Sequence, residues 1–177
     1  MALLLTFSPF LAFLLGEHLL GILPALCAGA GVAVALVVRE RLRGAREVRV
    51  LELGTAVLFG SLALAAILLT DVTWSVALVR LVVDCGLMLL VLFGAAVGRP
   101  FTLADARKRV SSEVAASPAF RRRVRLIALA WAGAFAVLAL ADVTLMLWPQ
   151  WPLVVPIGLG AVGLMGAFRL TQKLSRP

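Results

Sequence analysis

The sequence predicts an all-α, polytopic helical membrane protein, and three observations lead there. Of the 177 residues, 63% are hydrophobic and only 15% charged, too apolar for a soluble domain of this length. Apolar stretches close to the roughly 20 residues that cross a bilayer recur along the chain, separated by short polar connectors. Basic residues fill every second connector and are absent from those between. The expectation is a single domain over 1–177: five clear transmembrane helices after a short N-terminal apolar segment, arranged as three helical hairpins.

The first segment, about 1–15, is apolar but short and contains Pro9. Two readings of it stay open, a thin crossing and a re-entrant stretch. A cleaved secretory signal would carry positive charge ahead of its apolar run, yet the first Lys or Arg is Arg39. Cys27 follows Leu26 rather than a small residue, so lipoprotein processing is not expected either. The five clear spans are about 19–38, 50–69, 76–97, 126–147 and 153–168. Cys27 and Cys85 fall inside spans and read as buried thiols.

Between the fourth and fifth segments lies an amphipathic connector, 98–125, expected at the cytoplasmic face. Thr102 and Asp105 stand at capping-box spacing just after Pro100, which predicts a short surface helix over 102–110. Ser117 and Pro118 are the residue types of an N-cap and a first helical position. A helix from there to Leu147 would be roughly 45 Å long at about 1.5 Å per residue, longer than the roughly 30 Å hydrocarbon core. Its foot should therefore stand among the headgroups. Arg121, Arg122, Arg123 and Arg125 in that foot are candidate contacts for anionic lipids, because an Arg near an anionic leaflet contributes about 1 kcal/mol of attraction. Simple topogenic charge is the plainer reading of the same residues.

Charge placement sets orientation. Arg39, Arg41, Arg43, Arg46 and Arg49 fill one connector; Arg99, Arg107, Lys108, Arg109 and the four foot arginines fill another; Arg169, Lys173 and Arg176 lie in the tail. The connectors around Glu17 and His18, around Asp71 and over 148–152 contain no Lys or Arg. Of 17 basic residues all but Arg80 thus share one side, which the positive-inside rule makes cytoplasmic, the C-terminus included. Trp74, Trp148 and Trp151 mark the opposite interface. The net charge of +8 would also suit nucleic acid, but these residues flank spans instead of forming an exposed platform with interleaved aromatics, so no nucleic-acid partner is expected.

Small residues recur at every fourth position at Gly21, Ala25, Gly29 and Ala33, at Ala128, Ala132 and Ala136, and at Gly94 and Gly98, spacings that let helix backbones approach closely. A faint echo between 70–74 and 141–145 would fit a duplicated hairpin.

Ionisable residues inside a span are costly and are the first candidates for function. Arg80 and Asp84 stand four apart on one helix, and Asp142 lies at a similar depth on another; Glu17, His18 and Asp71 belong to nearby outer turns. One reading is a polar site in the outer half of the bundle, Arg80 binding an anionic group while Asp84 or Asp142 relays a proton or holds a cation. The other is an ion-pair network that fixes helix register. Glu17 beside His18 reads as a hydrated pair at the outer interface. His18, the sole histidine, has no partner at metal-ligand spacing, and the chain has no HExxH, GxSxG or P-loop. No catalytic residue, metal or cofactor is expected, and the chain reads as a non-enzyme.

Several strings and the layout along nearly the whole chain resemble the intracellular septation protein A family of bacterial inner-membrane proteins, at a distance. Ser8-Pro9-Phe10 stands where that family has a proline in a short first apolar segment, and Val57-Leu58-Phe59-Gly60-Ser61-Leu62 resembles its Phe-Gly-rich helix. Trp74 precedes the next span as the family's tryptophan does. Arg99-Pro100-Phe101 resembles the basic-Pro-apolar exit from that span, and Ala130-Trp131-Ala132-Gly133-Ala134-Phe135 its AWA-x-F string. The chain departs from the family in having no tyrosine and in carrying Asp142 where a neutral polar residue is usual. The resemblance implies a non-enzymatic part in envelope synthesis, elongation or septation in a bacterial inner membrane, through contacts with other membrane proteins and lipids. A small-solute or ion transporter or channel using the outer-half polar site, and an accessory subunit of a larger membrane complex, are the alternatives.

Overall fold

The computed structural model describes residues 5–42, 50–69, 74–107, 110–148, 150, 152 and 154–174. Helices α1 (Ser8–Leu20), α2 (Ile22–Leu42) and α3 (Val50–Leu68) belong to a first compact unit, 1–79. Helix α4 (Val76–Ala96) begins at its end and runs into the second unit, 80–177, which also holds α5 (Leu103–Arg107), α6 (Ser112–Ala116), α7 (Pro118–Leu147) and α8 (Val154–Leu174). No strand occurs among the described residues. Four helices, α2, α3, α4 and α7, are long and apolar enough to cross a bilayer, and α1 is a shorter apolar helix. The chain is a helical, multi-pass membrane protein.

In the first unit the turn falls later than the sequence reading placed it. Pro9 sits in the first turn of α1, where its missing N–H costs nothing. The helix then continues through Glu17 and His18 to Leu20 and breaks only at Gly21, whose φ of +89° suits a residue without a Cβ. Glu17 and His18 are thus helical residues rather than a turn, and Gly21 is a corner rather than part of a packing stripe. The rest of that stripe does pack. A Cβ on Gly16 would lie 3.0 Å from Ala25 Cα, so α1 and α2 touch backbone to backbone there. Gly29 receives the Phe59 ring of α3, and that ring stands 5.6 Å from the ring of Phe13 on α1. Phe13, Leu26 and Phe59 are fully buried and form the centre of this unit. Cys27 lies on the outer face of α2 because its neighbours Ala25 and Leu26 take the inward face, and Cys85 is half-buried; both stand, as expected, within helices long and apolar enough to cross a bilayer.

Helix α4 ends in a Schellman motif. Gly98 has φ +73°, its N–H reaches the Ala95 carbonyl at 3.4 Å, and the Arg99 N–H reaches the Gly94 carbonyl at 2.8 Å. Gly94 and Gly98 therefore cap a helix, with Pro100 preventing its continuation, and the GxxxG spacing between them is not a helix-packing signal.

The connector differs from expectation in detail. Among the described residues of the first stretch Leu103–Arg107 is helical, and Thr102 Oγ1 is buried without a hydrogen-bond partner, so Thr102 does not close the capping box. The Asp105 side chain lies outside what the structure describes. A second short helix, α6, starts at Ser111, whose Oγ accepts from Val114 N–H at 3.5 Å. Ser117 caps α7 as its position suggested, accepting from Phe120 N–H at 3.2 Å, with Pro118 following as the first helical residue. Helix α7 then runs 30 residues without interruption.

Helices α7 and α8 pack along one another. Gly163 lies against Val137 and Ala134, and the Leu138 side chain occupies the space that a Cβ on Gly160 would take. A polar link joins the pair: Trp131 Nε1–H donates to Thr171 Oγ1 at 3.0 Å, and that hydroxyl donates on to the Ala167 carbonyl at 2.8 Å. Phe101 meets the Trp131 ring edge-on at 6.5 Å and Phe135 flanks it at 6.4 Å, enclosing the link in aromatic surface. Asp71, Trp151 and the first four residues of the 70–74 string lie outside the described residues, as do Arg43, Arg46, Arg49, Lys108, Arg109 and Arg176.

Candidate functional site: a buried carboxyl pair

Helix α4 turns Val79, Val83, Leu87 and Val91 inward at every fourth position, each almost fully buried. Asp84 follows Val83 and shares that buried face, at 4% exposure. Arg80, one turn earlier, is half-buried. On α7, Ala139, Ala141 and Asp142 face inward, Asp142 at 6% exposure. The two carboxyl groups meet side chain to side chain, and the Arg80 charge acts on both. Asp84 Oδ1 and Asp142 Oδ2 are buried without a hydrogen-bond partner.

This arrangement draws on local rules. The spacing of four on α4 stacks Arg80 and Asp84 on one face. Asp142 is admitted near the C-terminal end of α7 because the alanines around it are small enough for a neighbouring side chain to approach. Side-by-side carboxylates repel, and a single guanidinium supplies the opposing charge, so the three residues act as one electrostatic unit. Such a unit has two chemical uses: it holds two helices in register, or it exchanges a proton or a small cation between the carboxyls.

Glu17 and His18 form a pair of their own in the first unit. His18 Nδ1 stands 3.3 Å from Glu17 Oε1, the imidazole 71% exposed and the carboxylate side chain 1% exposed. The glutamate of this pair is buried, where the sequence reading expected a hydrated one. Another buried carboxylate was not anticipated: Glu52, in the first turn of α3, is 6% exposed. A helix N-terminus favours an acid there, and the signal was a lone Glu two residues inside an apolar run. The Trp131–Thr171 link was likewise overlooked, because its partners are 40 residues apart and neither is charged.

Arg121, Arg122, Arg123 and Arg125 are all exposed on the first two turns of α7, with Val124 turned inward among them. Among the described residues no three of His, Cys, Asp and Glu are grouped so as to hold a metal ion. No family model, curated protein or solved structure matches the chain.

Proposed function

We propose that this protein is a non-enzymatic factor of a bacterial inner membrane, serving envelope synthesis, elongation or septation through contacts with other membrane proteins. In this reading the chain makes three hairpins with its basic connectors and C-terminus in the cytoplasm. Helix α8, at 21 residues, has the roughly 30 Å length of a fifth full span. Helix α1, with 13 residues, reaches only about 20 Å and would cross thinly or re-enter.

The observation that carries the choice is the burial of Asp84 and Asp142 against each other. A scaffold packs such groups away from water, whereas a transporter must bring a hydrated path to them. The strings around Phe59, Arg99 and Trp131 that resemble the intracellular septation protein A family support the cellular role. Deletion of the gene in its host tests it: the account expects longer or misdivided cells with unchanged solute and ion uptake. Normal division with altered uptake of one ion would overturn it.

A transporter or channel is the second reading, and one observation favours it. Each aspartate keeps one buried oxygen without a hydrogen-bond partner, an arrangement that a transient proton or cation would complete.

A further inference from the structure

The foot of α7 places Arg121, Arg122, Arg123 and Arg125 within two turns, and at 3.6 residues per turn they fan around the helix. The residue they leave out, Val124, is the one that faces inward, at 2% exposure. The position is electrostatically poor for cations, because the unpaired N–H groups of a helix N-terminus carry partial positive charge and the first turn of α7 contains no acid. Among the described residues none of the four guanidinium groups has an ion-pair partner. An anion from outside the chain, at the depth of these groups, would balance them.

Depth indicates which anion. Leu147 ends α7 and exposed Trp148 follows it, a residue suited to the outer interface. Counting back about 20 residues for the hydrocarbon core reaches Ala128. Arg125 then lies roughly 4 Å and Arg121 roughly 10 Å beyond the hydrocarbon edge, within and just past the polar headgroup layer. Guanidinium groups at that depth meet lipid phosphates, which match their planar fork in a bidentate manner.

We propose that these four arginines form a collar that binds the phosphate-bearing headgroups of anionic phospholipids in the cytoplasmic leaflet and holds the foot of α7 at a fixed depth. The collar rests on the membrane orientation given above and not on a role in septation. Topogenic charge alone would not require the arginines to ring one helix at phosphate depth.

The test uses the full chain reconstituted in phosphatidylcholine vesicles containing spin-labelled phosphatidylglycerol or spin-labelled phosphatidylcholine, with the motionally restricted fraction read by electron spin resonance. Wild type should prefer phosphatidylglycerol by roughly 5-fold or more at low salt, with the preference weakening as salt rises. The combined variant Arg121→Gln, Arg122→Gln, Arg123→Gln, Arg125→Gln should lose it, while Arg99→Gln with Arg107→Gln should keep it. Equal losses in both variants would mean diffuse charge and overturn the collar, as would an unchanged preference in the first, or full displacement of the lipid by millimolar inorganic phosphate. Should the fourfold variant fail to fold, Arg122→Gln and Arg123→Gln singly should each lower the preference measurably, and no change in either would overturn the proposal. No cell-division readout is involved, so this result stands apart from the fate of the septation reading.

Discussion

Asp84 of α4 and Asp142 of α7 meet carboxyl to carboxyl in a buried setting, and Arg80, one turn before Asp84, is the guanidinium that acts on both. Burial is the main penalty on the two carboxyls, and Arg80 offsets part of it. Replacing Arg80 with Ala removes that offset and should destabilise measurably, by at most the roughly 3–5 kcal/mol that breaking a fully buried pair costs. Unfolding of the detergent-solubilised variant should show that loss. Adding Asp84→Asn or Asp142→Asn should recover a measurable part of it, because one buried ionisable carboxyl is then replaced by a neutral amide. A double variant no more stable than Arg80→Ala alone would separate Arg80 from the pair.

The Gly29–Phe59 contact predicts a second outcome. A Cβ on Gly29 would sit 2.9 Å from Phe59 Cδ1, so Gly29→Ala must push the ring and should cost about 1–3 kcal/mol. Phe59→Ala should cost about 3–5 kcal/mol by opening a cavity between α1, α2 and α3. Combined, the two should cost less than their sum, since the alanine methyl has no ring to displace. Additive costs from thermal unfolding would contradict the packing described here.

Gly98 is predicted to matter as a cap. Gly98→Ala forces a side chain into the left-handed region and should destabilise by about 1–2 kcal/mol. The oligomeric mass in detergent should stay unchanged, which a helix-packing role for Gly94 and Gly98 would not allow.

The Trp131–Thr171 link yields a spectroscopic prediction. Thr171→Val keeps the shape but removes the acceptor for the buried indole N–H, at a cost of about 1–3 kcal/mol. Near-ultraviolet circular dichroism of the folded variant should change with the indole's surroundings. An unaltered spectrum together with unaltered stability would remove the link from the account.

Membrane class and most helix positions were legible in the sequence because both follow from apolar length and from the residue types at helix ends. Ser117 and Pro118 announced the start of α7 correctly, since N-cap chemistry is local. The end of α1 was misjudged because Glu17 and His18 look like turn residues, whereas the backbone breaks where Gly21 alone adopts positive φ at little cost. The GxxxG of Gly94 and Gly98 was ambiguous for a related reason: the same spacing serves helix packing and a Schellman cap, and only the backbone hydrogen bonds distinguish them. Arg80, Asp84 and Asp142 stood out because charge is rare in an apolar span. That Asp142 reaches Asp84 across two helices was not readable, because it depends on how far each helix is rotated about its own axis. Glu52 and Thr171 were passed over because one polar residue near a helix end carries no pattern.

The most direct test of the dry cluster is aqueous access to its three positions. Single substitutions Arg80→Cys, Asp84→Cys and Asp142→Cys, each in a background with Cys27 and Cys85 replaced, would be treated from outside with a membrane-impermeant thiol reagent in intact membranes. The account predicts protection at positions 84 and 142 in variants that still fold, with labelling only after denaturation. Rapid labelling of both in the folded protein would contradict it, revealing a hydrated path to the carboxyl pair and placing transport ahead of scaffolding.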